Sequence, residues 1–350
     1  MKKFLFAIVI LGAPFYGVSQ NKIDINKWRK ACLNLEVRPN FFVSKIWCRI
    51  QTLERRGVKI DPIKVNALKK QYNSTIISWT GLFLKYKHKH YLLTARHCLV
   101  DDSAAVKNFV FEKIYLVEDG SNKINITDHS IDQKTPYVPY LDGYVYGKNV
   151  QYSLSDSSVD LGIIALDDIP GFGKQFVDGL YSKGYIPIDF SDIDTTHRLL
   201  KNQEITLIGF PSELSQLKNL RKNVDSSIYY WRSTNVTIPD VSTGYIKDPM
   251  NKNFFFRGNV FSYHGFSGGP VISNNKLIGI NKLYGGVYMN TKSPQLNYYT
   301  DEFAEFTKAY KIIPLLKDLE KRFPKSAAET AKIKLTSLPL SLVLTGGTCN

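Results

Sequence analysis

The feature that most constrains the fold is a series of short β-like runs, ten of them between residues 75 and 284, punctuated by Gly, Asn and Asp. They fall at 75–86, 90–94, 109–117, 143–152, 161–166, 204–208, 228–238, 253–263, 270–273 and 277–284. Strands this short cannot bury their apolar sides as isolated ribbons, so they must assemble into a sandwich or a barrel. Composition agrees: 350 residues with 21 Tyr, 20 Phe and 22% charged side chains exclude a disordered chain, a collagen-like repeat or a disulfide-scaffold miniprotein.

The flanks read differently. Residues 20–73 have a helical pattern, with Asp24 or Asn26 capping a helix to residue 35 and Asp61 preceding Pro62 at the start of another ending near residue 72. Residues 301–322 follow a 3.6-residue period with a kink expected at Pro314, and 325–350 read as a tail. The expected organisation is a helical extension at 20–73, a mainly β domain at 74–324 and a tail at 325–350.

Residues 1–19 carry Lys2 and Lys3, an apolar run at 4–12 and Gly17-Val18-Ser19, the pattern of a secretory signal cut after Ser19. That run stops before Pro14 and is shorter than the roughly 20 residues a membrane span needs. The protein is therefore expected to be exported, periplasmic or extracellular, with no membrane span. Its four cysteines would then meet an oxidising compartment. Cys32 and Cys48 are near enough in sequence to close a local loop, which would leave Cys98 for Cys349. No Cys-x-x-Cys or His/Cys cluster has metal spacing, so neither a metal nor a cofactor is expected. The formal charge of +15 favours acidic partners, but the lysines are scattered and no basic stripe interleaves with aromatics, which argues against nucleic acid. Nothing in the pattern specifies an oligomeric state.

Three segments carry chemistry. Leu92-Leu93-Thr94-Ala95-Arg96-His97-Cys98 ends an apolar strand on a histidine, a group that moves protons near neutral pH. Val159-Asp160-Leu161 puts a carboxylate at the head of another apolar strand. Gly265-Phe266-Ser267-Gly268-Gly269-Pro270 holds a serine in a turn that glycines allow to bend sharply, exposing a hydroxyl and backbone N–H groups together. Each has a plainer reading as a structural histidine, a strand cap and a turn; it is their joint occurrence in β context that points to nucleophilic catalysis. Asp101 and Asp156 compete with Asp160, but neither heads an apolar strand. His88 and His90 alternate with lysines in a hairpin and are expected to be solvated, and His264 is expected at the surface or along a substrate cleft.

On Thr94-Ala95-x-His97-Cys98, Asp160-Leu161-x-x-x-x-Leu166 and Gly265-x-Ser267-Gly268-Gly269-Pro270, in that order, the chain resembles the trypsin/chymotrypsin-like serine proteases. Residues 80–84, 208–211 and 277–281 are similar in style to the bacterial HtrA and glutamyl-endopeptidase branch. The resemblance, which spans about residues 74–307, implies two six-stranded antiparallel β-barrels; the helical extension before them and the C-terminal helix after come from the residue pattern alone. It implies a serine endopeptidase acting on protein or peptide substrate through His97, Asp160 and Ser267, with Gly265 and Ser267 N–H groups as the oxyanion hole. The substrate would lie against Phe261, Ser262, Asn281, Lys282, Leu283 and Tyr284; with no carboxylate there, cleavage after Arg or Lys is disfavoured and small aliphatic or polar groups, then Glu, are preferred. The alternative is a catalytically inert binding protein on the same fold. Two departures stand out. Phe266 replaces the Asp that receives a new N-terminus in zymogens, and too little chain follows residue 285 for a PDZ domain.

Overall fold

The structure, a computed structural model, describes residues 23–39, 41–74, 77–100, 113–117, 123–125, 159–168, 173–196, 198–210, 238–260, 262, 265–283 and 303–322. The expected signal at 1–19, the run at 143–152, that at 228–238 except Ile238, Asp101, Asp156, Phe261, His264, Tyr284, Cys349 and the tail at 325–350 lie outside these residues.

Two β bodies form the core. The first is a seven-stranded sheet built on β1 (Cys32–Arg38), β2 (Ile77–Tyr86), β3 (Lys89–Thr94), β4 (Lys113–Val117), β5 (Lys123–Asn125) and β6 (Gly162–Ala165), in the order β5-β4-β1-β2-β3-β6, with the short β7 (Ile188–Asp189) parallel to β2. The second is a closed six-stranded barrel of β8 (Glu204–Gly209), β9 (Asp240–Asp248), β10 (Phe255–Asn259), β11 (Pro270–Ser273), β12 (Lys276–Leu283) and β13 (Ala304–Lys308), in the order β10-β13-β12-β11-β8-β9. The mainly β expectation holds, with one barrel closed among the described residues. Its interior is filled by Ile205, Leu207, Ile246, Phe256, Phe266, Val271, Ile278 and Phe306. Gly258 and Gly279 make room for them: a Cβ on Gly279 would lie 2.6 Å from the Phe256 ring.

The N-terminal segment is not only helical. Helix α1 (Ile25–Ala31) is capped by Asp24, whose side chain accepts from Lys27 N, but it stops at Ala31 and the chain turns into β1. Leu33, Leu35 and Val37 alternate with Asn34 and Glu36, so the period-2 signal is present; β1 pairs with β2 from Cys32↔Leu82 to Val37↔Ile77 and with β4 on its other side. Cutting the chain near Ser74 would therefore remove an interior strand. α1 also reaches the second body, Trp28 Nε1 and Asp24 N donating to Asn275 Oδ1 at 2.9 and 3.1 Å, while Lys27 pairs at 2.7 Å with Asp192 in the turn after β7. Asn275 follows Asn274 in the β11–β12 hairpin, both with positive φ (49° and 57°), the conformation that a two-residue hairpin turn demands and asparagine tolerates. Helices α2 (Lys45–Arg55) and α3 (Pro62–Ser74) follow β1, the latter starting where Pro62 was expected to begin it.

Other differences follow from tertiary pairing. Residues 304–308, expected to be helical, form β13 because Ala304 and Phe306 fill the barrel while the backbone pairs with β10 and β12. Helix α5 (Ile312–Arg322) begins later and holds Pro314 in its first turn, where the missing N–H would have no intrahelical partner, so no kink is needed. Helix α4 (Gly173–Ser182), not expected, buries Phe176, Val177 and Leu180 between the two bodies in sequence. The expected cysteine pairing is corrected: Cys32 and Cys98 are free and buried, so neither Cys32–Cys48 nor Cys98–Cys349 forms. Cys32 sits on an interior strand facing apolar neighbours, and burial pushes its thiol far above the ordinary range. Among the described residues no helix is long and apolar enough to cross a membrane.

Candidate active site

β3 and β6 run antiparallel with Thr94 opposite Gly162, so the residues just beyond that end, His97 and Asp160, must meet. His97 lies in a single helical turn after β3, and Asp160 grips it twice: Oδ1 accepts from the His97 backbone N–H at 2.9 Å and Oδ2 faces Nδ1 at 2.6 Å. Two bonds to one carboxylate fix both the ring's orientation and its tautomer, with Nδ1 carrying a proton and Nε2 directed elsewhere. Trp79 meets the imidazole edge-on at 5.2 Å. Gly162 keeps this end compact, since a Cβ there would fall 2.6 Å from Leu99.

Burial opposes the imidazolium, but Cys98 and the Asp160 carboxylate outweigh it and hold the His97 pKa well above 6.5. Burial likewise pushes the Asp160 carboxyl up, yet the His97 bonds, with Lys282 nearby, leave it below its ordinary value. Both shifts describe one ion pair.

Ser267 belongs to the loop from β10 to β11 of the barrel and is 7% exposed. Gly265 and Gly268 both have positive φ (93° and 83°), and side chains are also excluded sterically: a Cβ on Gly268 would lie 2.0 Å from Thr94 Oγ1, and one on Gly269 2.3 Å from Ile208 O. The loop is pinned by Gly269 N donating to Phe266 O, by Gly268 N donating to Asn281 O and by Asn281 N donating to Gly269 O. Among the described residues neither the Gly265 nor the Ser267 N–H has a hydrogen-bond acceptor. Phe266 turns into the barrel interior, so the position before the serine is a core position with no carboxylate to bind an ammonium group.

His97 and Asp160 are brought into direct contact, and Ser267 reaches them through β2: Thr80 N donates to Ser267 O at 2.9 Å while β2 pairs with β3. No hydrogen bond joins Ser267 Oγ to His97 among the described residues. Of the residues expected to line a substrate, Asn281 and Ser262 are buried and bonded to each other, Nδ2 to Oγ at 2.8 Å, with Asn281 Oδ1 unpartnered. Lys282 is held by Glu305 at 2.9 Å over the Phe255 ring. Leu283 ends β12. Sequence reasoning singled out 80–84 only as a stretch of familiar style; that Thr80 and Thr94 anchor the serine loop needed the strand register.

No family model and no curated protein matches the sequence. Among solved structures, the chain is similar to the Rv3671c protease from M. tuberculosis in its active form, with a TM-score of 0.40 at 10% identity over 91% of this chain and 93% of that one. It is also similar to the serine endoprotease from Yersinia pestis, with a TM-score of 0.39 at 14% identity over 85% of this chain and 65% of that chain.

Proposed function

We propose that this protein is an exported serine endopeptidase of the trypsin/chymotrypsin-like type, built on two β-barrels of which the first includes β1 to β6. The observation that carries the reading is the double grip of Asp160 on His97 beside a glycine-shaped loop that presents Ser267 with two free N–H groups. His97 Nε2 takes the Ser267 proton as the hydroxyl oxygen attacks a peptide carbonyl; Asp160 holds the tautomer and stabilises the imidazolium. The oxyanion points at Gly265 and Ser267 N–H, donors worth about 3–4 kcal/mol each in comparable enzymes. His97 then returns the proton to the departing amine, leaving an acyl-enzyme that water resolves by the same route. The substrate backbone runs along β12 near Asn281 to Tyr284, and the absence of a carboxylate there disfavours cleavage after Arg or Lys. Phe266 in the barrel core supports an enzyme that needs no newly cut N-terminus.

The signal-like pattern of residues 1–19 supports a site of action outside the cytoplasm. Labelling with a fluorophosphonate probe, with Ser267→Ala as control, followed by casein digestion, tests the proposal. Equal labelling of wild type and Ser267→Ala, or none of either, would favour the inert binding protein instead.

A further inference from the structure

Thr80 is fully buried near the middle of β2, and every polar atom it owns is engaged. Its N–H donates to Ser267 O at 2.9 Å, and its hydroxyl donates to Gly265 O at 2.6 Å. The same hydroxyl oxygen accepts from Phe210 N at 2.9 Å, just past β8, and its carbonyl accepts from Thr94 Oγ1 at 2.8 Å. These four bonds tie the serine loop, the end of β8 and the end of β3, three residues before His97, to one residue.

We propose that Thr80 is a positioning residue that sets the oxyanion-hole backbone and its register against His97; this rests on the serine-hydrolase reading above. The argument is geometric. Because each peptide group is planar, a bonded carbonyl fixes the N–H at the other end of its plane. The Thr80 hydroxyl fixes the plane joining Gly265 to Phe266, Gly269 N fixes the plane from Phe266 to Ser267, and Thr80 N fixes the plane from Ser267 to Gly268. The Ser267 N–H is thus aimed by bonds on both sides of it, and Gly265 keeps its φ of 93° with its carbonyl turned into the protein. Among the described residues Ser267 and His97 share no direct hydrogen bond, and the Thr94–Thr80 bond adds to the β2–β3 pairing in coupling the base's strand to the nucleophile's loop. The surroundings are shaped for it: a Cβ on Gly209 would lie 2.7 Å from the Thr80 hydroxyl, and one on Gly268 2.1 Å from its carbonyl.

The test uses the mature protein and a fluorophosphonate probe, whose phosphoryl oxygen occupies the oxyanion site. Inactivation is measured at saturating and limiting probe to separate the maximal rate from the half-saturating concentration. Thr80→Val keeps the shape and loses the hydroxyl; the maximal rate should fall about 10- to 100-fold, below the full loss of a donor, with the half-saturating concentration unchanged. Thr80→Ser, which restores the hydroxyl, should recover to within about 3-fold. Circular dichroism checks that each variant is folded. If Thr80→Val does not fold, Thr94→Val carries the test, with a loss of about 3- to 10-fold expected from freeing only the Thr80 carbonyl. A folded Thr80→Val, or in its place Thr94→Val, that labels at the wild-type rate overturns the proposal alone. So does a valine variant whose rate Thr80→Ser fails to restore. A wild-type protein that is not labelled overturns both this proposal and the serine-hydrolase reading.

Discussion

The β3–β6 strand pair carries a histidine–aspartate couple at each end, and the two are built alike. His90 and His97 each receive an aspartate on both the backbone N–H and Nδ1: Asp167 at one end and Asp160 at the other. The difference is at Nε2. That of His90 meets the Tyr181 hydroxyl at 2.9 Å, and its ring stacks on Phe83 at 5.6 Å. No side-chain oxygen of a described residue bonds Nε2 of His97, and its side chain is 27% exposed against 13% for His90. A gripped imidazole whose second nitrogen is occupied, as in His90, acts as a structural clasp, whereas one whose second nitrogen is left open, as in His97, keeps that nitrogen for a proton or a ligand. The expectation that His90 would be solvated is corrected by the same contacts.

The largest effect expected to separate the two ends is from Ser267→Ala or His97→Ala, each lowering turnover about 10⁶-fold, whereas His90→Ala should stay near wild-type activity in the same casein assay. If His90→Ala were as damaging as His97→Ala, the two couples would have to be reassigned.

Next comes the carboxylate. Asp160→Asn should lower the rate about 10⁴-fold by favouring the wrong tautomer, and Asp167→Asn should leave it nearly unchanged. Asp167→Asn should instead cost about 1–2 kcal/mol of stability at neutral pH, measured by urea unfolding, because a charge-assisted pair is replaced by a neutral one. Asp167 is held below its ordinary pKa, burial being outweighed by the His90 bonds, so this cost should vanish as pH falls through the folded-state value.

The pH dependence of the His97–Asp160 pair is a smaller, sharper discriminator. A histidine raised above 6.5 by folding adds stability that is complete below pH 6.5 and lost as pH rises through its folded pKa; a depressed carboxylate adds stability present above pH 3.8 and lost as pH falls. The pair should therefore stabilise the fold most between those limits. Asp160→Asn should destabilise more at pH 5.5 than at pH 9, and the acid limb of the wild-type activity profile should lie above pH 6.5. An acid limb well below 6.5 would contradict the raised imidazole. The smallest effect belongs to Tyr181→Phe, which removes one half-exposed hydroxyl and should cost less than about 1 kcal/mol with no loss of activity.

How legible this was depended on the range of the signal. Asp24, Pro62, the Asn274-Asn275 hairpin and the runs that became β2, β3, β8 and β11 rest on propensities and turns within a few residues, and their signals lie in the local pattern. β1 and β13 were misread because seven- and five-residue segments fit helical and strand periods about equally; pairing with distant strands decided them. The same limit explains the cysteines, since proximity in sequence between Cys32, on a strand, and Cys48, on a helix, does not by itself bring their sulfurs together, and Cys32 is free.

That the chain is mainly β, and that it carries a histidine at a strand end, an aspartate at a strand head and a serine among glycines, is written in its local pattern, because strand length, turn residues and chemical type are local properties. Which histidine has an Nε2 left open among the described residues, and the joining of the two bodies by Thr80 at the serine loop, arise from long-range packing. Those outcomes depend on strand register, which brings Thr80 to Gly265 across 185 residues of chain and sets what every polar atom finds within 3 Å once water is excluded.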